Sequence, residues 1–169
     1  MTRLAAIVQE ALDQLAWEGD LTTDEAAGTS QFSAVILVQH QPCQLYIDTR
    51  EESDFVGVFF YPPFRVKADR YPETCLLINA INSRTRHGHL EILRSNGHLR
   101  MVVSADVEGA SPTGVFVAQM MRSGADTLSA WMGELAAVAV ANRRADDVLA
   151  ELEQGEAPPP APAEGEAPA

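Results

Sequence analysis

Apolar and polar positions alternate along this chain with two periods, and the order of the blocks predicts an order of elements. Leu4, Ile7, Val8, Leu12 and Leu15 recur at helical spacing, with Arg3, Gln9, Glu10 and Asp13 on the opposite side. That is the stripe of one core-facing helix, with Thr2 placed to cap it. Residues 19–31 (GDLTTDEAAGTSQ) are polar and contain Gly, and read as a linker. FSAVILVQH at 32–40 is β-branched, apolar and too short for an isolated helix, so it predicts a strand. Gln41-Pro42 reads as a break. CQLYIDTR at 43–50 alternates residue by residue and predicts a second strand. EESD turns the chain into FVGVFFYP at 55–62, a third strand stopped by Pro62 and Pro63.

The alternation also assigns faces. With Gln41-Pro42 as a two-residue loop, Val38 faces Leu45 and Ile36 faces Ile47. Phe32, Ala34, Ile36, Val38, Leu45 and Ile47 then share the face expected to meet helices. The opposite face carries Val35, Leu37 and Tyr46, which is more apolar than a solvated face of a one-sided sheet should be. These three residues are the candidate protein-contact site.

Further along, Asp69 as cap and Pro72 in the first turn predict a helix start. The helix should run through CLLINAINSRTR to His87-Gly88, burying Leu76, Leu77, Ala80 and Ile81. HLEILR and HLRMVVSAD flank Ser95-Asn96-Gly97, and Asn-Gly predicts a tight type I′ hairpin. Its register would pair Leu90 with Val103 and Ile92 with Met101. Ser111-Pro112 starts another helix. Gly124 should interrupt it and Asp126 cap a restart that continues to about residue 153, with Leu128, Trp131, Met132, Leu135, Val138 and Ala139 as its stripe. The expected fold is α+β, in the order α-β-β-β-α-β-β-α, with five strands.

From Gln154 the composition changes to GEAPPPAPAEGEAPA. Pro, Ala, Gly and Glu build no core, so the expected division is a domain over 1–153 and a disordered acidic Pro/Ala-rich tail over 154–169. The formal net charge of −12 is unevenly spread. No basic residue follows Arg144, so residues 1–145 hold 12 basic and 17 acidic side chains, a net of −5. An acidic body repels phosphate backbones and anionic lipid, which counts against nucleic acid and membrane surfaces as partners. Glu10, Asp13 and Glu18 interrupt the N-terminal apolar residues, so no signal peptide is expected. No run approaches the roughly 18 apolar residues of a membrane span. The expected location is the cytoplasm.

Candidate chemistry is sparse, and no cofactor is expected. Cys43 and Cys75, the two cysteines of the chain, do not form a disulfide framework and are expected as buried free thiols. Cys75 falls on the apolar side of its helix, where a thiol is inert. His87 and His89 lie on one side of a strand, but His98 lies at the far end of the hairpin, roughly 20 Å away at 3.3 Å per residue. His40 and Cys43 lack two further ligands, so no metal site is expected. There is no G-x-S-x-G elbow and no Gly-rich phosphate cradle. No enzyme activity is expected. Asn79 and Asn82 share a helix face, and Asn82 is expected to bond local backbone near the start of the hairpin. The Met120, Met121, Trp131 and Met132 positions read as core.

Several stretches resemble the YbjN family and its structural relatives, the type III secretion chaperones. FFYPPFRV at 59–66 is similar to that family's aromatic third strand leading into proline and a helix start. CLLINAIN at 75–82 resembles its second helix, ending in Asn82. HGHLEI at 87–92 resembles the Gly-containing start of its next strand, and VVSADVEGASPT at 102–113 the strand, acidic turn and capped helix that follow. The resemblance covers about residues 1–150. It implies one antiparallel sheet covered on one face by helices, and homodimers or partner binding through exposed sheet and helix surfaces. Family members are labelled sensory or stress-linked regulators, which names no mechanism. The expected function is a non-enzymatic, chaperone-like protein-binding module, homodimeric, meeting an unidentified client through a sheet face or edge. The rival expectation is a small-molecule-binding regulatory or enzymatic domain with a pocket between the sheet and the C-terminal helix.

Overall fold

The computed structural model describes residues 1–19 and 21–156, the side chains of residues 155 and 156 excepted. Its elements are α1 (Arg3–Gln14), β1 (Thr22–Asp24), β2 (Thr29–Val38), β3 (Gln41–Arg50), β4 (Phe55–Tyr61), α2 (Tyr71–Asn82), β5 (His89–Leu93), β6 (His98–Asp106), α3 (Gly114–Ala139) and α4 (Ala145–Glu156). The fold is α+β. The sheet has six strands in the order β1-β2-β3-β4-β6-β5, every neighbouring pair antiparallel.

The expectation of five strands is corrected by β1, which lies inside the segment read as linker. Thr22 pairs with Gln31 and Asp24 with Thr29. Three polar residues are too few to register as alternation. The turn behind them is built locally: the Asp24 carboxylate accepts from the Ala27 N–H at 3.0 Å, and Gly28 takes φ +61.

Alternation along the strands becomes two unlike sheet faces. Phe32, Val38, Cys43, Leu45, Ile47, Val56, Val58, Phe60, Leu90, Leu99 and Met101 are buried on the inner face. Ile36 is half-buried there. α1 and α3 pack together on this face, α2 lies against β5, and α4 packs on α2 and α3. Thr2 caps α1 as expected, accepting from the Ala5 N–H at 3.4 Å.

Both expected hairpin registers are corrected. Ile36 pairs with Cys43 and Ala34 with Leu45, because Gln39 and His40 form the turn, with φ +48 and +63, and Gln41-Pro42 begins β3. Pro42 is tolerated there because β3's other neighbour starts only at Gln44–Tyr61, so its missing N–H faces no strand. In the second hairpin Leu90 pairs with Met101 and Ile92 with Leu99, leaving a four-residue loop, residues 94–97. Gly97 is held in that wider loop from outside, its carbonyl accepting from the Val66 N–H at 2.9 Å.

The helices depart from expectation at their ends. α2 starts at Tyr71 after a 3-10 turn at Ala68–Arg70, with no side-chain cap from Asp69, and stops at Asn82. It buries Thr74, Leu77, Ile78 and Ile81, while Leu76 is 54% exposed and Cys75 is exposed rather than buried. α3 runs unbroken through Gly124: a Cβ there would lie 2.2 Å from Cε2 of Phe60, so the glycine lets the helix rest on the sheet. α3 ends where Asn142 takes φ +60 and the Arg143 N–H folds back to the Ala137 carbonyl at 3.0 Å. A separate α4 follows, and runs to Glu156. The expected disordered tail lies, from residue 157 on, outside the described residues.

Candidate protein-contact surface

The outer sheet face is built from the residues left over by the inward alternation. One row across it reads Ser33, Tyr46, Phe59, Val102 and His89; the next reads Val35, Gln44 and Tyr61. The three candidate residues from the sequence therefore share one face. Val35 is 66% exposed, Leu37 is 73% exposed, and Tyr46 is half-buried. Among the described residues no helix covers Val35 or Leu37.

Beside this apolar corner lies a cluster that the sequence reading missed. The Arg100 guanidinium sits 4.8 Å over the Phe59 ring. It donates to the Tyr61 hydroxyl at 3.0 Å and to Glu91 Oε1 at 2.5 Å. Burial opposes the charge on Arg100, and the bonds to Tyr61 and Glu91 outweigh it, holding its pKa above the usual guanidinium value. The Tyr61 ring stands edge-on to Tyr46 at 5.6 Å and to His98 at 5.9 Å. Phe55 and Phe59 lean over Gly57, whose Cβ would lie within 2.8 Å of both rings. The pattern F-x-G-x-F-x-Y at 55–61 places all four residues on one strand face, and that spacing was the signal available in the sequence. The cluster is a preorganised aromatic and cationic surface. It opens at its end into a groove of about 370 Å³ between Tyr61, Pro62, Phe64, His98, Val35 and Pro42.

A second apolar groove, about 310 Å³, lies between Tyr71, Pro72, Cys75, Ile92 and Arg94, where α2 meets the free edge of β5. Cys43 differs from Cys75. It is fully buried, and desolvation pushes its thiol from an ordinary 9.0 up to about 11 against a backbone hydrogen bond from Val38. His89 pairs with Val102 and His98 with Leu93, at opposite ends of the hairpin. Among the described residues no three His, Cys, Asp or Glu side chains gather as metal ligands. Among the same residues no helix is long and apolar enough to cross a membrane. Asn82 bonds the hairpin as expected, accepting from the Leu90 N–H at 2.8 Å and donating to its carbonyl at 3.0 Å. Met120, Met121 and Met132 are buried and Trp131 is half-buried.

Comparison with known proteins gives a family and a fold. The model of the family described as "YbjN: Putative bacterial sensory transduction regulator" matches residues 4–137. Among solved structures, the chain is similar to a chain in the structure of the HopA1–SchA chaperone–effector complex. The TM-score is 0.53 at 15% identity, over 76% of this chain and 92% of that one. It is also similar to the crystal structure of YbjN from E. coli, at 13% identity and a TM-score of 0.47, over 75% of this chain and 89% of that one. No curated protein matches the sequence.

Proposed function

The chain belongs to the YbjN family, and from that membership and the open sheet face we propose a non-enzymatic, chaperone-like protein-binding function in the cytoplasm. The outer face around Val35, Leu37 and Tyr46 is the contact surface, taking an extended client segment or a second copy of this chain. The observation that carries this reading is the pair Val35 and Leu37, 66% and 73% exposed on a sheet face. Isolated surface apolar residues are ordinary; adjacent ones on an uncovered sheet, next to rigid tyrosines, form an interaction patch. The HopA1–SchA complex pairs a chaperone with an effector. That likeness supports the fold, and its extension to clients of this chain is part of the proposal.

The rival reading needs space between the sheet and the long helix. Phe60 fills that space at Gly124, where not even a methyl group fits, and the cavity that remains nearer the start of α3, between Val103, His87, Phe116 and Met120, is about 130 Å³, below the roughly 300 Å³ at which ligand pockets begin.

Sedimentation velocity at about 10–50 µM tests the reading, a range in which micromolar dimers are populated. The unmodified chain is expected to self-associate, and Val35→Lys with Leu37→Glu to shift it to monomer with unchanged far-UV circular dichroism. A monomeric unmodified chain removes the homodimer. Equal capture of an unfolded client protein by both chains removes the face as the contact surface.

A further inference from the structure

We propose that the outer-face groove is a carboxylate site: its occupant is an extended client segment that seats an Asp or Glu side chain at Arg65, His98 and Tyr61 and lays an apolar side chain on Val35. The inference rests on the protein-contact reading of this face and names the chemistry of the client.

The backbone places the two basic side chains together. Arg65 and His98 form an antiparallel bridge, and beside it the Val66 N–H donates to the Gly97 carbonyl at 2.9 Å. Residues opposite one another in such a bridge point their side chains to the same side, with Cβ atoms roughly 5 Å apart. Both line the groove. A guanidinium and an imidazole held side by side do not attract each other; an anion between them accepts from both. Arg3, Arg100, Arg143 and Arg144 each hold a carboxylate of this chain. Arg65 is exposed, and among the described residues its side chain has no hydrogen-bond or ion-pair partner.

Tyr61 adds a neutral donor. Its hydroxyl accepts from Arg100 at 3.0 Å, which leaves its own hydrogen to donate. The ring is fixed edge-on between Tyr46 and His98. Glu91, the acid nearest to this row, is already taken by Arg100 at 2.5 Å. Among the described residues that line the groove none is Asp or Glu, in a chain with 24 acidic and 12 basic residues. Charge at the groove is therefore complementary to a negative group and opposite in sign to the molecule as a whole.

The groove is also apolar at its other end, and this separates a peptide from a free acid. Val35, 66% exposed, and Pro42 form that end. Val35 lies on β2 and His98 on β6, with β3 and β4 between them. Three inter-strand spacings make roughly 14 Å. An extended segment crossing the strands covers this in about four residues at 3.3 Å each, and side chains four apart point to the same side. One face of such a segment puts an apolar side chain on Val35 and a carboxylate at Arg65. A small free acid would leave Val35 uncovered. A second copy of the chain would bring a net charge of −12 with its carboxylate, whereas a short segment brings little more than the carboxylate itself.

The test is a nuclear magnetic resonance titration of the full nitrogen-15-labelled chain with a capped Ser/Thr peptide carrying one Phe and, four residues later, one Glu. Amide shifts are expected at Val35, Gln44, Tyr61, Arg65 and His98. Binding should weaken at least several-fold when the peptide Glu is replaced by Gln, and likewise on Arg65→Glu. The Arg65→Glu chain should instead prefer a peptide with Lys in place of Glu, a reversal that a loss of folding does not produce. Shifts centred on another face, or none at about 1 mM peptide, overturn the proposal. Equal shifts with sodium acetate at the same concentration reduce the site to a bare anion site and overturn the client segment. If no peptide binds while Arg65→Glu abolishes self-association, the carboxylate comes from a second copy and the client assignment falls. Val35→Ser with Leu37→Ser, which removes apolar surface without adding charge, separates this proposal from the reading beneath it. If the Glu and Gln peptides bind equally and that double variant abolishes both, the contact-face reading stands and the carboxylate site falls. If binding needs the Glu and Arg65 but is unchanged in the double variant, the carboxylate site stands and the contact-face reading falls.

Discussion

Gly124 sits in mid-helix with the Phe60 ring where its side chain would be. Read from the sequence it marks a helix break, because propensity knows only the helix; the partner ring is 64 residues away. Gly124→Ala gains up to about 1 kcal/mol of helix propensity but forces overlap with a buried ring, a strain of about 1–3 kcal/mol. Net destabilisation is expected in urea denaturation, and Phe60→Leu in the same chain should offset part of it, a non-additivity that a double-mutant cycle reads. Unchanged stability would mean that α3 lifts from the sheet at no cost. Asn82 was legible for the opposite reason, since its partners at Leu90 lie eight residues away and amide side chains bond nearby backbone. Cys43 gives a pH signature. Its folded-state pKa of about 11 lies above the ordinary 9.0, so the native state binds more protons between those values. The stability it contributes is complete below pH 9 and is lost as pH rises toward 11, by at most about 3 kcal/mol in all. Denaturation midpoints measured from pH 8 to 10.5 should fall more steeply for the unmodified chain than for Cys43→Ala; parallel curves would mean that the thiol ionises freely.

Elements in this fold are fastened to one another by carboxylates reaching across the chain. Glu51 accepts from the Leu4 N–H at the start of α1 at 2.6 Å, Glu10 from the Gly114 N–H at the start of α3 at 2.9 Å, and Glu73 from the Ala145 N–H at the start of α4 at 2.7 Å. Thr113, ahead of α3, makes no side-chain cap bond of its own. A carboxylate on free N–H groups at the positive end of a helix supplies both the missing acceptor and the favoured charge. Such caps are invisible to a sequence reading, which searches for them within three residues of the helix start. Glu73→Ala is expected to cost about 0.5–2 kcal/mol, the range for loss of a cap, and to raise amide exchange in α4 before the rest of the molecule. Glu73→Gln, which keeps an acceptor, should lose less. Uniform exchange changes would show that α4 is not separately fastened. The strands were more legible, and the two misjudged registers show why. The alternation and turn signals place Ile36 opposite Ile47 and Leu90 opposite Val103, whereas Ile36 pairs with Cys43 and Leu90 with Met101. Both errors are even-numbered slips, and a slip of two or four residues leaves every side chain on its assigned face. The inner and outer faces therefore survived mistaken turns. β1 was lost because three polar residues carry no alternation to detect.

For the whole molecule, the element order carried the family resemblance and the family model confirms it over residues 4–137. The surface was only half legible. Val35, Leu37 and Tyr46 were visible as apolar residues on the wrong parity, whereas the Arg100–Phe59–Tyr61 cluster needs β4 and β6 to be neighbours, which α2 and β5 separate in sequence. Charge acts on this surface at longer range. Two copies meeting through an apolar face each carry a net charge near −12, so they repel as they approach. Raising the salt from about 0.01 M to 0.1 M shortens the Debye length from roughly 30 Å to 10 Å, which screens whole-body repulsion while leaving apolar contact intact. Self-association is therefore expected to strengthen over that range, by several-fold in the dimer constant measured by sedimentation equilibrium. Arg65→Glu should steepen this salt dependence, since it adds negative charge beside the contact face. Association that weakens as salt rises would place the dimer on opposed charges, with the groove at Arg65 and His98 of one copy against acidic residues of another, and would remove the apolar face as its cause.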